Sequence, residues 1–132
     1  MELRVSHLRY LLVIYELGQT KPDVGTADIA KAMDCSKASV TNMMSTLMEM
    51  GLLVRERYGK IYLTDVGFLL AKDMFRAVEA LNARLPALGL ELTDGETREL
   101  THTLAMSLPE RCLRKLAGRE PGIWEQWWNR SV

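Results

Sequence analysis

The chain has 132 residues, 48% of them hydrophobic and 26% charged, with 17 basic and 17 acidic side chains that cancel to a net charge of zero. This is the composition of an ordinary globular protein able to bury a core, and its charge balance argues against indiscriminate polyanion binding while leaving room for local cation clusters. No apolar run approaches the roughly 18 residues of a membrane span, and nothing at the N-terminus resembles a secretory signal. With two cysteines only, Cys35 and Cys112, the expected setting is a reducing cytoplasm.

Leu3, Leu8, Leu11, Leu12 and Tyr15 fall on one face of a helix predicted over residues 1–17. Gly18 is expected to stop it, with a loop over residues 19–25 that contains Pro22 and Asp23. Thr26 stands where an N-cap belongs. Ile29, Ala30 and Met33 then form the inner face of a short helix, and Asp34 and Cys35 make a turn.

Ser36 caps the next predicted helix, which runs to Met50 and ends at Gly51. Its inner face is Val40, Met44 and Leu47; its outer face is Lys37, Ala38, Ser39, Thr41, Asn42 and Ser45. Short side chains let a helix backbone approach base edges, Asn can bond adenine with both amide atoms, and Ser and Thr hydroxyls reach phosphates. The same residues would also suit a merely solvated helix, so position in the chain has to decide.

Two β-prone runs follow, Leu52 to Val54 and Ile61 to Leu63, around a turn containing Gly59. Arg55, Arg57 and Lys60 put three cations on that hairpin, where they serve either as a solubility device or as contacts to a sugar-phosphate backbone. A helix-turn-helix with a hairpin directly behind it is a device for placing one helix in the major groove.

Thr64 and Asp65 open a long helix carrying Val66, Leu69, Leu70, Met74, Ala77, Val78 and Leu81, ended near Pro86, with Gly67 permitting close approach to the hairpin. Thr93, Asp94 and Glu96 open another helix to about Met106, and Ser107-Leu108-Pro109-Glu110 is expected to cap a further one closed by Gly118. Near the C-terminus Trp124, Trp127 and Trp128 share one face of a helical turn. The expected fold is therefore mostly α with a small β-hairpin. It divides into a winged helix-turn-helix domain over residues 1–70 and a linker helix with a helical dimerisation domain over residues 71–132.

Residues from about Tyr10 to Phe75 resemble the iron- and manganese-dependent repressors, the DtxR/MntR-like family. The resemblance rests on Tyr10-Leu11, Thr26-x-Asp28-Ile29-Ala30, Ser39-Val40-Thr41-Asn42-Met43, Leu47, Gly51-Leu52-Leu53 and Ile61-x-Leu63-Thr64-x-x-Gly67. It implies a homodimer on a palindromic operator in double-stranded DNA, with the C-terminal helices at the interface and Ser36, Lys37, Ser39, Thr41 and Asn42 facing the duplex.

The resemblance also implies a divalent metal, Mn or Fe. Its ligands would come from two positions on the first helix, one on the linker helix, and a Glu-x-x-(Cys/Glu)-His motif on the helix after. Here those positions hold Arg9, Leu12, Ala77, Arg98, Thr101 and His102, of which only His102 is a metal ligand by chemistry. Arg9 is a candidate for supplying in place the charge a cation would bring. A rearranged site would use Glu99 and His102, with His7 or Cys112 approaching; in the plainer reading His102 packs in a partly apolar interior and Glu99 is solvated.

Three functions are thus open: a DNA-binding transcriptional regulator, expected to be a repressor; a winged-helix module for protein–protein contact; and an enzyme. For the last there is no paired carboxylate in context, no nucleophile beside a base and no phosphate loop.

Overall fold

The computed structural model describes residues 3–56 and 59–118. Arg57 and the three tryptophans singled out above lie outside the described residues. Six helices and a two-stranded hairpin follow the order α1 (Val5–Thr20), α2 (Thr26–Met33), α3 (Lys37–Glu49), β1 (Leu53–Arg55), β2 (Ile61–Leu63), α4 (Asp65–Arg84), α5 (Asp94–Ser107) and α6 (Glu110–Ala117), with a short 3-10 turn, Leu85–Leu88, after α4. This is a winged helix followed by a helical segment. No helix among the described residues is long and apolar enough to cross a membrane.

α1 is central. Leu11, Leu12, Val13 and Ile14 are all buried, a run of four that a one-faced surface helix does not show. The cause is that α1 packs against α4, α2 and α5 at once. Its start is closed by His7, whose Nδ1 accepts from the Arg4 backbone N–H at 2.9 Å. Burial first, and the Arg4 charge second, depress the His7 pKa. Gly18 does not stop the helix. α1 continues to Thr20, and ends where Pro22 disfavours helical geometry at Lys21, whose φ and ψ are −124° and 128°.

Gly25, not Thr26, holds the N-cap position of α2. The Asp28 carboxylate accepts from the Gly25 N–H at 3.0 Å, and with the loop already closed this way Thr26 becomes the first helical residue. Asp34 ends α2 in the left-handed region at φ 53°. Ser36 caps α3 by accepting from the Ser39 N–H at 3.1 Å, which satisfies one orphan donor.

The end of α3 fixes the wing. Gly51, at φ 74°, donates to the Met48 carbonyl and Leu52 to the Leu47 carbonyl, both at 3.0 Å; these two bonds make the Schellman closure that favours glycine. Leu52 is thereby driven into the core, where it is fully buried beside Val40, Met44 and Leu47. Burying each such side chain contributes about 1.5–3 kcal/mol. In the antiparallel hairpin Leu53 faces Leu63, Val54 faces Tyr62 and Arg55 faces Ile61. The loop before α2 adds a rung, Ile61 N–H to the Val24 carbonyl at 3.1 Å.

The exit from the wing is equally specific. Thr64 Oγ1 donates to the Gly51 carbonyl at 2.7 Å and accepts from the Gly67 N–H at 3.1 Å, joining the end of α3 to the start of α4. A Cβ at Gly67 would overlap the Leu52 carbonyl. At the far end, α6 is preceded by Pro109 as its N-cap rather than by Ser107. Ser107 still belongs to α5 and donates back to the Thr103 carbonyl at 2.8 Å.

Candidate nucleic-acid interface

The outer face of α3 is open. Lys37, Ala38, Ser39, Thr41, Asn42 and Ser45 are all exposed, opposite buried Val40, Met44 and Leu47. Two of the hydroxyls are engaged locally: Ser36 Oγ donates to Ser39 Oγ at 2.9 Å, and Ser45 Oγ donates to the Thr41 carbonyl at 3.2 Å. The side chains of Lys37, Thr41 and Asn42 make no hydrogen bond or ion pair among the described residues. An amide, a hydroxyl and an ammonium are thus left free on one stripe, beside backbone N–H groups at the helix start that favour an anion.

The wing cations behave differently from one another. Arg55 Nη2 donates to Thr26 Oγ1 at 3.3 Å, which brings the first residue of α2 and the wing together. Lys60 does not project freely. Its ammonium pairs with Asp23 at 3.0 Å and stands 4.8 Å from the Tyr62 ring centre, so a phosphate approaching it must compete with a carboxylate. Such exposed pairs are weak and screened by salt.

Behind α3, Tyr10 on α1 meets the turn of the helix-turn-helix: its hydroxyl lies 3.5 Å from Cys35 Sγ. Burial first and then that hydrogen bond push the Tyr10 pKa up to about 12.

Six residues further along α1 stands a residue that sequence reasoning passed over. Glu16 Oε1 and Oε2 accept from the two terminal nitrogens of Arg98 on α5, at 3.2 and 3.1 Å, and Oε2 also lies 3.2 Å from His102 Nε2. The Glu16 and His102 side chains are only 17% and 9% exposed, whereas Arg98 is 54% exposed, so the imidazole bond is sheltered and the guanidinium closes the cluster from its solvent side. Burial alone would raise the Glu16 carboxyl; the bond and charge of His102, with the Arg98 guanidinium, outweigh it and hold the carboxyl below its usual range. Glu99 is exposed. A cavity of about 170 Å³ beside the cluster is lined by Arg9, Val13, Met33, Arg98, Glu99 and His102 among others.

Apart from His102, the side chains at the positions matched to family metal ligands do not suit a divalent cation. Leu12 and Ala77 are fully buried and offer no donor, Thr101 Oγ1 is turned to the Arg98 carbonyl at 3.1 Å, and Arg9 and Arg98 bring positive charge. Among the described residues no three of His, Cys, Asp and Glu are grouped to hold a metal ion. His7 is spent on the α1 cap, and Cys112 on α6 lies against Arg111 Nη1 at 3.7 Å.

Comparison with known proteins agrees with this geometry. Residues 4–61 match the family profile described as the iron dependent repressor, N-terminal DNA binding domain. The chain superposes on the manganese regulator SloR with a TM-score of 0.68 at 24% identity, covering 89% of this chain and 54% of that one. On ScaR with bound Zn²⁺ the TM-score is 0.64 at 28% identity, covering 85% and 52%. The hypothetical protein SSo2273 from Sulfolobus solfataricus gives 0.57 at 20% identity, with 88% of each chain covered. The chain thus spans about half the length of SloR and ScaR. No curated protein sequence matches it. The helix-turn-helix and the first strand of the wing fall within residues 4–61, the segment that is similar to the iron dependent repressor N-terminal DNA-binding domain.

Proposed function

We propose that this chain is a sequence-specific transcriptional regulator, a repressor, that binds a palindromic operator in double-stranded DNA as a homodimer held by its C-terminal helices. In this reading residues 1–70 are the DNA-binding domain and residues 71–132 the linker and dimerisation domain. The observation that carries it is the free polar stripe of Lys37, Thr41 and Asn42 on the second helix of a helix-turn-helix whose family match is to a DNA-binding domain. Asn42 reads a base edge; Ser36, Lys37, Ser39, Thr41 and Ser45 hold the helix to phosphates and groove walls; Thr26, Arg55, Arg57 and Lys60 engage the flanking backbone.

Operator binding is independent of metal in this reading, because the chain presents guanidinium groups and apolar side chains where a cation would need oxygen and nitrogen donors. The test is selection of bound fragments from genomic DNA, repeated with Mn²⁺, Fe²⁺, Zn²⁺ and a chelator. The expected result is one enriched inverted repeat, recovered equally in every condition. Recovery of no enriched sequence in any condition would refute DNA reading; enrichment only with metal would refute metal independence.

A further inference from the structure

We propose that Glu16 is a positioning residue: by holding Arg98 and His102 it ties α5 to α1 without a metal, and α1 passes that tie to the reading head. This rests on the DNA-binding reading above and adds to it the means by which the helical segment governs the head.

Three observations converge. First, the cluster spans the chain: Glu16 and its partners are 82 and 86 residues apart in sequence, so the bonds join elements that the backbone does not. Second, its geometry is the favourable one. The Arg98 fork meets both carboxylate oxygens, and the third bond, from a His 9% exposed, leaves Oε2 doubly engaged. Third, α1 carries on the same helix the Tyr10 hydroxyl that meets Cys35 in the turn between α2 and α3. Glu16 and Tyr10 are less than two helical turns apart. A rotation or slide of α5 that pulls on Glu16 therefore moves the residue supporting the α2–α3 turn. The ring of Tyr15, next to Glu16, packs on Phe68 and Phe75 of α4 at 5.4 and 5.2 Å between centres, which stiffens α1 at this level.

The charged neighbours are accounted for. Arg9 lines the same cavity and makes no ion pair among the described residues, and Glu99 is exposed. Neither competes for the Glu16 oxygens, so the cluster is closed on itself: one carboxylate, one guanidinium and one imidazole. A cation entering here would have to displace Arg98 from both oxygens of the only carboxylate in the cluster.

The experiment compares the wild-type chain with Glu16→Gln, Arg98→Gln and the charge-reversed pair Glu16→Arg with Arg98→Glu. Hydrogen–deuterium exchange is measured along the chain, and fluorescence anisotropy is measured on the most enriched duplex from the selection. Each single variant is expected to raise exchange both in α5 and in the α2–α3 turn, and to weaken duplex binding about 5- to 50-fold. The reversed pair should recover much of both. Wild-type affinity should be equal in EDTA and in MnCl₂. Faster exchange confined to α5, with the α2–α3 turn unchanged, would overturn the proposal, as would unaltered affinity in both single variants. If selection yields no duplex, the DNA reading fails while exchange still decides the tie.

Discussion

Replacing Gly67 by Ala sets two effects of opposite sign against each other. Ala is the better helix former, and at an unencumbered helical site the exchange stabilises by about 0.5–1 kcal/mol. At Gly67, however, the new methyl would overlap the backbone carbonyl of Leu52. A carbonyl cannot swing aside as a side-chain end would, because Leu52 accepts there from the Thr64 N–H at 3.1 Å and is itself fully buried. Relief requires α4 to move off the wing. That costs about 1–3 kcal/mol of overpacking strain, plus about 1 kcal/mol for the weakened Thr64 bond. Subtracting the helix-forming gain leaves a net loss of about 1–3.5 kcal/mol, several °C in melting temperature for a domain of this size. Urea denaturation of Gly67→Ala against wild type, followed by far-UV circular dichroism, measures it directly. Gly18→Ala is the control: it lies in a helix with nothing within 4 Å of the added Cβ, and should stabilise by about 0.5–1 kcal/mol. If Gly67→Ala shifted the midpoint upward like Gly18→Ala, the close approach of α4 to Leu52 would be wrong.

Asn42→Ala is expected to relax base preference at one position per half-site, costing about 1–3 kcal/mol of discrimination; repeating the selection with the variant reveals it, and an unchanged motif would remove Asn42 from the groove. Arg55→Ala should weaken binding to all sequences alike and lower the slope of log affinity against log salt by about 1, as read by anisotropy over a salt series. For pH, burial works against the Glu16 charge but His102 and Arg98 prevail, so its folded pKa lies below the ordinary 4.5. A depressed carboxylate contributes stability that is complete above its unfolded pKa and is lost as pH falls through the folded one. Melting temperature should therefore fall more steeply on acidification below 4.5 in wild type than in Glu16→Gln, and parallel curves would dismiss the contribution.

What could be read from residues alone was local. Ser36, Thr64, Thr93 and Gly51 carry their own capping chemistry, and each stands at a helix end where its side chain or backbone is used. The periodic apolar positions of α3 and α4 gave their inner faces for the same reason. Misreadings arose where a competing local bond won. Asp28 closed the loop before α2, so Thr26 was free to meet Arg55 instead. Pro22, four residues beyond Gly18, ended α1. Ser107 turned back into α5. The Glu16 cluster was illegible for a different cause: a lone Glu after a run of buried apolar residues looks like a helix edge, and its partners lie on another helix more than 80 residues on. Only the packing of α5 on α1 brings them together. The pairing of Lys60 with Asp23 was hidden in the same way, across the loop that adds a rung to the hairpin.

The Thr64 hydroxyl, with one bond to the end of α3 and one to the start of α4, makes the junction of those helices a stiff elbow rather than a hinge. From that elbow α4 extends 20 residues, a lever about 30 Å long. A tilt of about 10° at the elbow would carry its far end sideways by about 5 Å, close to one helical pitch. The tolerance of one threonine's two hydrogen bonds thus sets how far α4 can tilt against the end of α3. A Thr64→Val lever would keep its length and lose its calibration.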